Sequence, residues 1–188
     1  ANEMLTAYRS FLQREIPAAD AAAFRRDPQL LAAWCRDSLT LRPELCTVST
    51  TISPEGVWRS RTADKPSRAI FFVAAARSLG IPAWIDRVTG NLFYRHAGKD
   101  VPVDFDAAGN RELETGRLQL NYAPIPRLDD PEYFRHFSLS RFDGQSFSLL
   151  NYPDFERWSE LFRAPADLET GYYTVSYTHL TLPTTPYV

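Results

Sequence analysis

The sequence predicts an α+β fold: N-terminal helices, a central buried helix against an antiparallel sheet, and a β-rich region behind them. Three observations predict it. The first third of the chain repeats apolar residues at helical spacing, Ala63 to Leu79 is apolar on nearly every side, and past Pro82 the apolar period drops to two. A helix that is apolar all round belongs inside, and strands of period two bury one face, so the helix and the strands need each other.

Leu5, Tyr8, Phe11, Leu12 and Ile16 mark the first helix, which Pro17 ends. Asp27-Pro28 is a cap and first-turn pair for a second, whose stripe is Leu30, Leu31, Trp34, Cys35 and Leu39. Cys46, Val48 and Ile52 alternate with polar residues as in a strand, and Ser53-Pro54-Glu55-Gly56 reads as a turn. The central helix has Asp64 near its cap, Pro66 in its first turn and Gly80 at its stop. Strands come next at Ala83 to Val88, Leu92 to Arg95 and Val101 to Phe105, with Thr89-Gly90-Asn91 as a hairpin turn, and another spans Leu118 to Tyr122. Pro124-Ile125-Pro126 and Asp129-Asp130-Pro131 read as a linker, after which 137–142 and 146–150 form a hairpin around Asp143-Gly144. This places one domain over 1–124 and the start of a β-sandwich-like domain over 127–174.

The last stretch, 175–188, has four Thr, two Pro and no charge. Its string Val175-Ser176-Tyr177-Thr178-His179-Leu180 resembles the translation of an adaptor used in shotgun sequencing libraries. The expectation is a non-native tail on a bacterial metagenomic fragment, with nothing from Val175 onward packed on the core.

Hydrophobic residues at 44% and charged residues at 23% describe a chain able to build a core. The 21 Lys and Arg against 23 Asp and Glu give a formal charge of −2, which offers no basic field for nucleic acid. No apolar run reaches the roughly 20 residues of a membrane span. Two Cys and three His match no zinc spacing, so neither a metal nor a cofactor is expected. Asp100, Asp104 and Asp106 share one strand face, but no glycine-centred calcium loop frames them.

The run from Ala69 to Ala83, ending Arg77-Ser78-Leu79-Gly80-Ile81-Pro82-Ala83, resembles the central helix and exit turn of the transglutaminase-like family. Val101-Pro102-Val103-Asp104 is similar to that family's strand carrying the triad aspartate. The resemblance implies a papain-like core and a Cys-His-Asp site, with the thiol activated where the central helix begins. Here the thiol position falls on Lys65 and the imidazole position on Asn91, and Asp104 alone keeps the family residue. A Lys cannot replace a thiolate in acyl transfer, and an Asn cannot accept and return a proton.

The resemblance therefore implies an inactive module that binds a peptide, protein or glycan, or scaffolds, in the bacterial cell envelope outside the cytoplasm. Trp58, Arg61, Lys65 and Asp104 are its groove candidates, and Lys65 is expected to turn its amine toward Asp104. The alternative is an active cysteine-dependent amidase, protease or acyltransferase with Cys46 or Cys35 as relocated nucleophile. Ser67 reads as a capping hydroxyl, His96 as a loop residue and His136 as a strand-edge residue.

Overall fold

The structure is a computed structural model, and it describes residues 7–42, 50–105, 114–142, 144 and 146–178. The fold is mixed α+β, and it divides into two compact units: Ala1–Asp86 with Asn91–Glu112, and Arg87–Gly90 with Leu113–Val188. Each unit has its own apolar core.

In the first unit, helices α1 (Tyr8–Glu15), α2 (Ala18–Arg26), α3 (Gln29–Ser38) and α4 (Pro54–Ser60) accompany the central helix α5 (Lys65–Ser78). Strand β1 (Thr40–Leu41) pairs in parallel with β2 (Thr62–Ala63). Strands β3 (Ala83–Ile85), β4 (Leu92–His96) and β5 (Lys99–Pro102) form an antiparallel sheet in chain order. Two successive residues show why α5 is apolar all round. Neighbours on a helix point about 100° apart, and Phe71 meets Trp34 of α3 and Trp58 of α4 while Phe72 meets Tyr94 of the sheet. Both rings are fully buried, and Ala74, Ala75 and Ala76 let neighbouring elements approach closely.

The ends of α5 leave few polar groups to water. Gly80, at φ +82°, allows a Schellman stop in which the Ile81 N–H donates to the Ala76 carbonyl at 2.9 Å and the Gly80 N–H to Arg77 at 3.2 Å. Gln13 of α1 and Arg25 of α2 donate to the next carbonyls, those of Ser78 and Leu79. Arg25 also puts a cation where the helix dipole is negative.

Three sequence expectations are corrected here. Ser53-Pro54-Glu55-Gly56 is not a turn but the start of α4, with the Ser53 hydroxyl accepting from the Gly56 N–H and Pro54 at the first helical position. The strand read over 83–88 stops at Ile85, because Val88 packs in the core of the second unit. Leu30, placed on the buried stripe of α3, is 42% exposed. The strand expected around Cys46 lies largely outside the described residues.

In the second unit, β6 (Thr115–Leu118) pairs with β9 (Ala166–Glu169), and β7 (Phe137–Phe142) lies between β8 (Phe147–Leu149) and β10 (Tyr172–Tyr177), all antiparallel. The strand read over 118–122 thus sits earlier, at 115–118. A single helical turn, α6 (Trp158–Leu161), completes it. The core is aromatic: Tyr133, Phe137, Trp158 and Phe162, with Leu139 from β7 and Leu168 from β9.

The expectation that nothing packs from Val175 onward is also corrected. Strand β10 runs to Tyr177 along the whole of β7, and Val175 joins the core. A ladder is held by backbone bonds that any non-proline residue supplies, so the unusual composition of this stretch is no barrier to pairing. Residues 179–188 lie outside the described ones.

Candidate functional site

The chemistry of the site begins at the first turn of α5. Asp64 is the N-cap: its carboxylate, 1% exposed, accepts from the Ser67 N–H at 2.6 Å. Lys65 takes the first helical position, exposed, and Pro66 the second. The Ser67 hydroxyl accepts from the Ile52 N–H at 2.8 Å, so it fastens the incoming chain rather than capping the helix. The helix end that would stabilise a thiolate therefore already holds a buried carboxylate at one of its amides.

Lys65 makes no ion pair among the described residues, so the expected bridge to Asp104 is not formed. Asp104 lies just past β5, half-buried. Its neighbour Phe105 packs edge-on against Phe72 and lies under the Arg68 guanidinium, 4.3 Å from the ring centre. Phe105 thus meets α5 one and two turns beyond Lys65. Asn91 ends the loop before β4, where its carbonyl accepts from the Asp86 N–H at 2.7 Å. The three positions share one unit: Lys65 opens α5, Asn91 precedes the buried Leu92 of β4, and Asp104 precedes Phe105, which packs on α5.

Two groove candidates do come together. Trp58 stacks on Trp34 with ring centres 5.2 Å apart and 18° between planes, and Phe71 backs both. The Arg61 guanidinium lies over this pair, 3.9 Å from the Trp58 ring centre and 4.7 Å from that of Trp34. Arg61 is the C-cap of α4, with left-handed backbone at φ 54°, and its carbonyl accepts from the Thr40 N–H. Its charge has no ion-pair partner among the described residues, and its buried Nη1 has no hydrogen-bond acceptor. Burial pulls its pKa below the ordinary guanidinium value. A cation held on two indole faces without an anion suits a planar carboxylate ligand.

In the sequence Trp34 belongs to a core stripe, and nothing there gives it a place in the platform. The stripe does mark its inward face, but no local pattern announces a ring supplied by an element 24 residues away from Trp58 in the chain.

Of the remaining reactive groups among the described residues, Cys35, Asp100 and His136 have structural places. Cys35 is completely buried in the core, and this burial pushes its thiol well above the ordinary range, against a smaller opposing effect of the Arg68 charge. Cys46 and Asp106 lie outside the described residues. Asp100 takes a two-pronged contact from Arg95, which holds its carboxyl below the usual value. His96 is exposed at the end of β4, next to the Ala97-Gly98 turn. His136 accepts the Glu132 N–H on Nδ1 at 2.9 Å, tightening the turn into β7.

No helix among the described residues is long and apolar enough to cross a membrane. Compared with protein-family models, curated proteins and solved structures, the chain finds no match.

Proposed function

We propose that the chain is a transglutaminase-like module without thiol chemistry, which binds an acidic peptide or glycan of the bacterial envelope in the first unit. The observation that carries this reading is that the first turn of α5, where the resemblance would put an activated cysteine, holds Lys65 beside the Asp64 carboxylate. The papain-like core is supported by α5 lying between helices and a three-stranded antiparallel sheet. The sandwich-like reading of the second unit is supported by two small sheets that share one aromatic core. The ligand's acidic group would meet Arg61, and a flat part of the ligand would lie along Trp58.

The test is a fluorescence titration, since Trp34 and Trp58 form the platform. The probes are N-acetylated tripeptides with a free or an amidated C-terminus. The expected result is a saturable change with the free carboxylate, a response to the amide weaker by about tenfold, and loss of that difference in Arg61→Gln. Equal binding of the two forms, or cleavage of either peptide, would overturn the proposal.

A further inference from the structure

Strand register sets up a second surface, in the other unit. Tyr172 of β10 is opposite Phe142 of β7, which is opposite Phe147 of β8, so one cross-strand row carries three aromatic rings. Directly opposed residues point to the same face of a sheet. The alternate positions Phe137 and Leu139 enter the core, so the row faces away from it. The rings are 66%, 37% and 55% exposed, yet they touch: the centres of Phe142 and Phe147 are 5.0 Å apart and those of Phe147 and Tyr172 are 6.3 Å apart.

The next row along the strands is Thr174, Ser140 and Leu149, and the one after it pairs Ser176 with Ser138. Two features of this face choose its occupant. None of its eight strand positions is ionisable near neutral pH, so it has no attraction for phosphate, nucleic acid or charged lipid. Four of the eight are Ser or Thr, and none of those hydroxyls makes a side-chain hydrogen bond among the described residues.

A second copy of the chain would meet this face with the same eight uncharged positions, so no ion pair would fix its register. The rings also stand 43° and 60° to one another, which gives a ridged rather than a flat face for another sheet. A neutral sugar chain matches both features. Its C–H faces pack on aromatic rings, its hydroxyls pair with Ser and Thr, and successive units turn relative to each other.

We infer that the β10-β7-β8 face is a binding platform for a neutral oligosaccharide, seated on Phe142, Phe147 and Tyr172 and steered by Ser140 and Thr174. The site is independent of Arg61 and of the reading of the first unit. It stands or falls by its own residues.

The experiment is isothermal titration of the full chain with cellohexaose, chitohexaose and xylohexaose, alongside Tyr172→Ala, Phe147→Ala and Arg61→Gln. At least one sugar should bind, with an affinity unchanged between roughly 50 and 500 mM salt. Tyr172→Ala and Phe147→Ala should each weaken it about tenfold or more, as central aromatic anchors do. Arg61→Gln should bind as the parent does, and thermal unfolding of all variants should show that the exposed substitutions leave the fold intact. The inference is overturned if none of the three sugars binds, or if binding survives both ring removals. It is overturned equally by sedimentation showing a dimer that Tyr172→Ala dissolves, which would make the face a self-contact.

Discussion

The two units solve the problem of building a core in opposite ways. The first wraps short helices and a small sheet around one regular element, α5, whose polar ends are occupied by Asp64, Gln13 and Arg25. The second gathers Tyr133, Phe137, Trp158 and Phe162 from turns and short strands, and buries a hydroxyl to do it: Tyr133 donates to the Leu150 carbonyl and accepts from the Leu139 N–H. Left-handed backbone at non-glycine residues occurs in both units, at Arg61 and Ala97 in the first and at Arg127, Phe134 and Phe155 in the second. A core hung on a helix is specified by period, whereas a core of ring edges is specified by contacts between residues far apart in the chain.

The two cores should respond differently to the loss of a ring in one and of a buried hydroxyl in the other. Phe72→Ala should cost about 3–5 kcal/mol, because the fully buried ring joins α5 to Tyr94 and Phe105. Tyr133→Phe keeps the ring and loses only the hydroxyl, leaving the buried Leu150 carbonyl short of a donor at a cost of about 1–3 kcal/mol. Denaturant unfolding measures both, and Trp158, the only tryptophan of the second unit, reports on the second change. A Tyr133→Phe variant as stable as the parent would show that the second core is held by ring packing alone.

A smaller effect compares left-handed positions. Gly80→Ala at φ +82° should destabilise by about 1 kcal/mol although an added Cβ meets nothing within 4 Å, because the cost is in the backbone. Phe155→Gly at φ 65° should be neutral or gain up to about 1 kcal/mol, since its ring is 65% exposed and buries little. If Phe155→Gly loses stability instead, that ring has a partner that its exposure does not suggest.

This contrast also explains how much the sequence could tell. The span of α5, its cap and its glycine stop were legible because each is a local signal, as were the 92–96 strand and the 137–149 hairpin. Ser53-Pro54 misled because a serine before proline opens turns and helices alike, and the choice is made a turn later, where Val57 enters the core. Of the groove candidates, Trp58 and Arg61 were legible as neighbours, but the stacking of Trp34 depends on how α3 and α4 cross. The link between Lys65 and Asp104 rests on analogy with a site bridged by an imidazole. Without that bridge, an exposed ammonium gains little from an ion pair over its hydration by water.

The smallest expected effect is electrostatic. Asp130 accepts from the Ser159 hydroxyl at 2.6 Å and from its N–H at 3.0 Å, and these bonds hold its carboxyl below the usual value. A carboxyl whose pKa is lowered by folding stabilises the fold above its unfolded value of about 3.9, and loses that contribution as pH falls through the folded value. Asp130 is partly exposed, so the contribution is under about 1 kcal/mol. Unfolding of the parent and of Asp130→Asn should therefore differ at neutral pH and converge in acid. Parallel curves would remove Asp130 from the forces that hold the second unit.

The central proposal is that this chain works without thiol chemistry, and the part of it that the described residues carry is Cys35, fully buried in the core of the first unit. Reaction with iodoacetamide near neutral pH, followed site by site by mass spectrometry in the native and the denatured chain, tests it most directly. Cys35 should stay unmodified until the chain unfolds, and neither cysteine should react faster when folded. Rapid labelling of Cys35 or Cys46 in the native protein, suppressed by denaturation, would contradict it.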